Sequence, residues 1–266
     1  MNFKNELANT LFIPLTMKAL ENRKKNGLFK DQQADDIVTK LGIPLPDMEL
    51  IQKGTQIGTA VRVKTLDQQV DNFLQKNPNG VLITLGCGLD NRLLRLKKTL
   101  IHALNIDLPE VIEIRKKYVK ETSDTVINKG FSILESQCFE YIKETYYDRP
   151  KIFIAEGILL YFNEDQVFKI FNSILNISNN DISNNEIWFD SHTKEVNDFM
   201  NTREDFKKIG VTFNWWLNSP TDLKIKNMKL IKRMPFMEQY PEAWGDLIDS
   251  APDIFRNGVH VNGYKF

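Results

Sequence analysis

Val81-Leu-Ile-Thr-Leu-Gly-Cys-Gly-Leu-Asp-Asn-Arg92 decides the fold. Residues 81–85 are an unbroken apolar and β-branched run, the pattern of a strand buried on both faces. The turn-forming Asn77-Pro-Asn-Gly80 precedes it, and Gly86 and Gly88 follow at once. Glycine there permits a tight turn and lets the backbone approach a bound molecule closely. A second strand is expected over 100–106, ending beside Asp107, 21 residues after Gly86.

A carboxylate at the end of a second strand can accept hydrogen bonds from both ribose hydroxyls of an adenosine-containing cofactor. The third glycine of the dinucleotide pattern is missing, with Asn91 in its place. A pyrophosphate wants that glycine, whereas S-adenosylmethionine needs the ribose acid and no diphosphate cradle. Taken alone, the glycines also fit a plain strand-end turn, with Asp107 capping a helix that starts at Leu108-Pro109.

Upstream, residues 1–80 read as helical. Leu7, Leu11, Leu15 and Lys18/Ala19 lie near helical spacing, and residues 35–41 form a short helix. Leu66, Val70, Phe73 and Leu74 mark an amphipathic helix that stops at the Pro/Gly turn. Downstream, helices are expected over 111–122, 138–145 and 164–175, the last capped by Asn163, and strands over 130–134, 151–155 and 186–190. Such alternation predicts an α/β fold with a parallel sheet between helices. The polar run 176–185 reads as a loop, and 193–225 as inserted helices carrying an exposed Trp215-Trp216 pair. Strands over 228–239 and 259–266, with a helix over 244–248 between them, close the sheet. The expected division is a helical cap at 1–80 and a core at 81–266 interrupted at about 193–225.

Lys plus Arg equals Asp plus Glu at 35 each, so there is no basic excess to suggest nucleic acid as a partner. Cys87 and Cys138 are too few for a disulfide framework, and with three scattered histidines no metal site is expected. Pro14 breaks the apolar run at 11–15, and no run nears the roughly 20 residues that span a bilayer. The expectation is a cytoplasmic protein without membrane contact.

Three stretches together carry a resemblance. Leu85-Gly-Cys-Gly-Leu-Asp-Asn-Arg92, then Asn105-Ile-Asp-Leu-Pro-Glu-Val-Ile112, then Ile154-Ala-Glu-Gly-Ile-Leu-Leu-Tyr161 resemble the leucine carboxyl methyltransferase family. Lys18-Ala-Leu-Glu-Asn-Arg23 and Leu28-Phe-Lys-Asp31 look like the opening of its bacterial polyketide O-methyltransferase branch (the tetracenomycin type). The resemblance runs from about residue 10 to about 190. It implies a class I S-adenosylmethionine-dependent methyltransferase: a Rossmann-like, mostly parallel seven-stranded sheet with an N-terminal helical cap and inserted helices after strand five.

The resemblance also implies roles. Arg62 falls where the family places an arginine on the cofactor's methionine carboxylate, and a guanidinium suits a carboxylate in a bidentate pair. Gly86 and Gly88 form the cofactor turn and Asp107 is the ribose acid. Glu135 and Ser136 fall beside the adenine, where the family has Asp-Leu. Glu156 lies by the cofactor's amino-acid end, positioned to meet its ammonium. Lys18 replaces an arginine and Asn105 a glutamate of the family pattern.

Lys18, Tyr161 and His192 are expected to face a small-molecule acceptor. Tyr161 and His192 have plainer readings as a core aromatic and a surface or satisfied histidine, and Lys18 keeps the charge of the arginine it replaces but not its planar fork. No strong base constellation is evident, which suits an acceptor carboxylate, already ionised at pH 7, better than a phenol with pKa near ~10. Phe206, Phe213, Trp215 and Trp216 either line a pocket for a flat substrate or pack the inserted helices. Cys87 reads as a small filler. The competing functions are a nicotinamide-dependent oxidoreductase and a family member that binds cofactor without turnover. Tyr147 and Lys151 are the sole Tyr-x-x-x-Lys pair, and Pro150 keeps them off a shared helix face.

Overall fold

The computed structural model describes residues 11–45, 50–97, 101–177, 184–208 and 210–266. Leu7, Leu100 and positions 178–183 of the polar run lie outside them. Three helices come first: α1 (Phe12–Arg23), α2 (Gln32–Leu41) and α3 (Leu50–Lys76). The core then alternates β1 (Val81–Leu85), β2 (His102–Asp107), α4 (Pro109–Tyr118), β3 (Val126–Gly130), α5 (Ser136–Thr145), β4 (Lys151–Ala155), α6 (Glu164–Asn176) and β5 (Glu186–His192). Helices α7 (Lys194–Thr202) and α8 (Glu204–Lys208) follow β5, and β6 (Lys229–Pro235) and β7 (Val259–Lys265) finish a seven-stranded sheet.

Its order is β3-β2-β1-β4-β5-β7-β6. Strands β1 to β5 are mutually parallel, and β7 runs antiparallel to both β5 and β6. This is the Rossmann-like architecture of class I methyltransferases. The order reverses between β1 and β4, where an open parallel sheet takes its ligand. Strand β1 is buried along its whole length because both faces are covered. Val81, Ile83 and Leu85 join the cluster under α5 and α6, while Leu82 joins the one under α3. Helix α3 is thus part of the sheet's core, through Val61, Leu66, Val70 and Phe73. At about 25 cal/mol per Å2 of apolar area, such fully buried side chains are the fold's main support.

Strands β1 and β4 lie where the sequence pattern puts them, and Asn163 caps α6 in a reciprocal box with Gln166. Strand β3 does not: 130–134 was the expected span, and the strand occupies Val126–Gly130. The β-branched Val126-Ile127 pair starts it. It stops where Gly130 crosses Pro109, because a Cβ there would lie 2.8 Å from Pro109 Cα. The expected helix over 244–248 is two short turns, Pro241–Trp244 and Leu247–Ser250, parted at Gly245 with φ +51°. Helix α3 starts well before the stretch that predicted it. The Trp pair is split: Trp215 is core, held by Asn197 on its carbonyl, and Trp216 is 40% exposed. Among the described residues no helix is long and apolar enough to cross a membrane.

Candidate functional site

A cleft opens beyond the carboxyl ends of β1, β2 and β4, enclosing about 790 Å3 with its mouth. Its floor is the turn after β1. Gly86 and Gly88 both have positive φ, +70° and +51°, which glycine adopts without strain. The N–H groups of Gly86 and Cys87 both donate to the Ile106 carbonyl, tying the turn to β2. A Cβ on Gly88 would come within 2.9 Å of Leu11, so the entry to α1 lies directly over the turn.

Asp107 ends β2 and lines this cleft. Its Oδ2 accepts from the Gly88 N–H at 2.7 Å and its Oδ1 from the Leu108 N–H at 2.8 Å. Burial raises its carboxyl above the ordinary range, and these two N–H groups offset part of the rise. Each oxygen keeps a further lone pair, the requirement for gripping a vicinal diol.

At the other end, Glu156 follows β4 and Arg62 reaches across from α3. Arg62 Nε donates to Glu156 Oε1 at 3.2 Å, and its Nη1 donates to Asp190 Oδ2 at 3.1 Å. Burial alone would raise the Glu156 carboxyl, but Arg62, Arg92 and Lys18 hold it below the usual range. Arg62 is stabilised as a cation against the cost of burial by Asp190 and Glu156.

Around this pair lies an ion network. Arg92 bonds both Asp67 and Glu156. Arg95 meets Asp67 at 2.7 Å, Asp31 at 2.8 Å and Asp90 at 2.9 Å. Lys18 Nζ meets Asp90 at 2.7 Å. Burial would raise the Asp90 carboxyl too; Arg95, Lys18 and Arg92 hold it well below the ordinary range. Asp31 also caps α2 by accepting from the Ala34 N–H at 3.0 Å. The network therefore locks α1, α2 and α3 onto the glycine turn.

Of the expected site residues, Lys18, Arg62, Gly86, Gly88, Asp107, Glu156 and Tyr161 all line this one cleft. The Lys18 ammonium sits on Asp90 rather than open to the cleft. Glu135 and Ser136 are exposed at the start of α5 and are not among the cleft-lining residues, a consequence of β3 ending early. His192 is the last residue of β5, bonded to Asn197 at 2.9 Å and absent from the lining; burial lowers its pKa. Cys87 is buried, its thiol pushed up by that burial. Asn105, 6% exposed, bonds Asn128 within the sheet, so that departure from the family pattern is internal.

The functional residues missed by sequence reasoning are Asp67, Asp90, Arg92, Arg95 and Asp190. Charges embedded among Leu89, Leu93, Leu94 and Leu96, and beside Leu66, were the available signal. Tyr161 stacks on Phe213, which meets Phe206 edge-on, in one cluster with Leu160 and Val211. Of this cluster Tyr161 lines the cleft and the others pack behind it; the rest of the apolar lining comes from Leu11, Leu15, Leu89, Val111 and Ile158.

The donor set fits an adenosyl amino acid: a diol acceptor at one end, a guanidinium with a carboxylate at the other, and a backbone turn between. It does not fit a pyrophosphate. A dinucleotide site sets the phosphates on a helix N-terminus after the glycine turn, and only the three-residue 3-10 turn Arg92–Leu94 stands here. Asn91 is 2% exposed and donates to the Lys120 carbonyl instead.

Comparison with known proteins agrees. The family model of leucine carboxyl methyltransferase matches residues 12–175, more than half of the chain. The tetracenomycin polyketide synthesis O-methyltransferase TcmP of Streptomyces glaucescens is 24% identical over 87% of this chain and 81% of its own length. An S-adenosyl-L-methionine-dependent methyltransferase of Gibberella zeae, dpfgK, is 27% identical over 97% of this chain and 94% of its own. In fold, a solved DUF574 family protein of Streptomyces avermitilis superposes with a TM-score of 0.63 at 9% identity, covering 94% of this chain and 96% of that one.

Proposed function

The chain belongs to the leucine carboxyl methyltransferase family and is an S-adenosylmethionine-dependent methyltransferase; from that premise we propose that it methylates an oxygen, carboxylate or hydroxyl, of a small molecule. The observation that supports this most is the convergence of Asp107, Arg62 and Glu156 on one cleft whose remaining lining is largely apolar, with Tyr161 at its rim. Two relatives share the theme: one is named as a polyketide O-methyltransferase and both as methyltransferases.

In this reading Asp107 holds the ribose hydroxyls, Arg62 the methionine carboxylate and Glu156 the ammonium. Gly86 and Gly88 let the backbone lie against the adenosine. The bound cofactor supplies an electrophilic methyl on a sulfonium. The protein's share is to hold the acceptor oxygen in line with it, and such positioning supplies up to roughly 7–11 kcal/mol of a barrier. Tyr161, with one face on Phe213, orients the acceptor. Glu156 and Asp90 are paired with cations, Asp107 is held by two backbone N–H groups, and His192 is engaged by Asn197. That lack of a free base among the described cleft residues favours an acceptor already anionic at neutral pH. The same residues speak against the nicotinamide alternative, and turnover is what separates an enzyme from a family member that binds cofactor without it.

Calorimetric titration with S-adenosylhomocysteine and, separately, NAD tests the cofactor end. Micromolar binding of the first alone is expected. Turnover with a panel of aromatic acids and phenols tests the acceptor end, with acids methylated faster. Binding of NAD alone would end this reading.

A further inference from the structure

Asp190 ends up beneath Arg62 although nothing in the residue pattern pointed to it. It is the fifth residue of β5, and its side chain is 1% exposed. Its two oxygens hold two different parts of the cleft. Oδ1 accepts from the Gly157 N–H at 2.6 Å, fixing the turn that carries Glu156. Oδ2 accepts from Arg62 Nη1 at 3.1 Å. With Glu156 on Nε, two of the guanidinium's donor atoms are spoken for by acids from two strands. The remaining one, Nη2, has no hydrogen-bond partner among the described residues and lies over Gly157, 3.2 Å from where a Cβ would stand.

A guanidinium is planar, so fixing Nε and Nη1 fixes the direction of Nη2. An arginine on a long helix otherwise has several rotamers, and ordering it on binding costs affinity. We propose that Asp190 is a positioning residue: it pre-aims Nη2 of Arg62 at the carboxylate of the cofactor's amino-acid end. This rests on the reading of Arg62 as that carboxylate's partner. A field effect alone would not give the same result. The amino-acid end is a zwitterion, so the charge of Asp190 repels its carboxylate about as much as it attracts its ammonium.

The test compares two ligands in purified full-length protein: S-adenosylhomocysteine, which has the amino-acid end, and 5′-methylthioadenosine, which lacks it. Wild-type protein should bind the first more tightly. Asp190→Asn keeps an oxygen for the Gly157 N–H but weakens the hold on Arg62. It should lower affinity for S-adenosylhomocysteine about tenfold, as expected for a weakened charge-assisted contact, and leave 5′-methylthioadenosine within about twofold. In an Arg62→Gln background the same substitution should add nothing to the preference. If Asp190→Asn misfolds, Asp190→Glu, which displaces the guanidinium by a methylene, should shrink the preference in the same way. Parallel losses for both ligands, or no loss for either, would overturn the positioning role and leave the Arg62 reading standing. A wild-type protein that binds both ligands equally would overturn the Arg62 reading, and this inference with it.

Discussion

Residues 12–175 and residues 193–266 handle charge in opposite ways. In the first region Lys18, Arg92 and Arg95 are almost wholly buried, each matched to Asp31, Asp67, Asp90 or Glu156. In the second, β6 carries Lys229 and Lys232 in solvent, with Leu230 44% and Ile231 40% exposed between them. What this region packs behind Tyr161 is apolar: Phe206, Val211 and Phe213. A buried ion tolerates no loss of its partner, because the remaining charge is left uncompensated. An apolar wall tolerates exchange at roughly constant volume. The charges around Arg62 and Glu156 are thereby fixed in detail, and the apolar cluster behind Tyr161 is free to exchange side chains. The exposed lysines and the register irregularity between Leu230 and Lys232 serve a separate purpose, since both discourage edge-to-edge pairing at the open side of β6.

The contrast is most directly broken by unfolding measurements. Arg92→Met takes one of two cationic partners from each of Asp67 and Glu156, leaving Arg95 and Arg62, and should lower stability by about 3 kcal/mol in urea titration. Asp107→Ala removes charge-assisted bonds worth roughly 1.5–3 kcal/mol each, so affinity for S-adenosylhomocysteine should fall by about ten- to a hundredfold in calorimetry. Phe213→Leu, in the apolar cluster behind Tyr161, should lose at most about 1.5 kcal/mol of stability in the same titration. A loss as large as that of Arg92→Met would erase the distinction between the regions.

A different buried cation sharpens the same point. Lys151 is 1% exposed, and its Nζ has one acceptor among the described residues, the Arg149 carbonyl at 2.9 Å. Burial pulls its pKa down to about 8 from an ordinary 10.5. The unfolded chain then binds the extra proton between those values, so this group's contribution to stability rises as pH climbs from about 8 toward 10.5. Thermal unfolding from pH 7.5 to 10 should show that rise in wild type and not in Lys151→Met. The smallest effect is expected from Glu135→Ala. Exposed and outside the cleft lining, it should leave cofactor affinity within about twofold. A larger drop would return the adenine contact to Glu135.

What the residues disclosed in advance follows the same divide. β1 and β4 were legible because strands covered on both faces are continuous apolar runs. Gly86, Gly88 and Asp107 were legible because backbone conformation and a strand-end acid leave a local trace. β3 was misplaced because Val126-Ile-Asn-Lys-Gly130 is half-buried throughout and shows neither alternation nor a run. Glu135 and Ser136 accordingly stand at the start of α5, exposed. The partners Asp67 with Arg92 and Arg62 with Asp190 are 25 and 128 residues apart in the chain. No periodicity links such pairs; they meet only when the sheet and α3 have packed. The aromatic residues 206–216 gave a choice between pocket and packing. The buried ones pack: Phe213 on Tyr161 and against Phe206, behind the cleft lining, and Trp215 in the main core.

The strand order carries a consequence for the chain as it is made. β6 precedes β7 in the sequence, yet β7 lies between it and β5. As the polypeptide leaves the ribosome, β6 has nowhere in the sheet to go. Its one neighbour in the sheet is β7, so it can join only after that strand has been made. In chain order the parallel strands and the glycine turn come first, and the strand that ties the sheet's outer edge to them comes last.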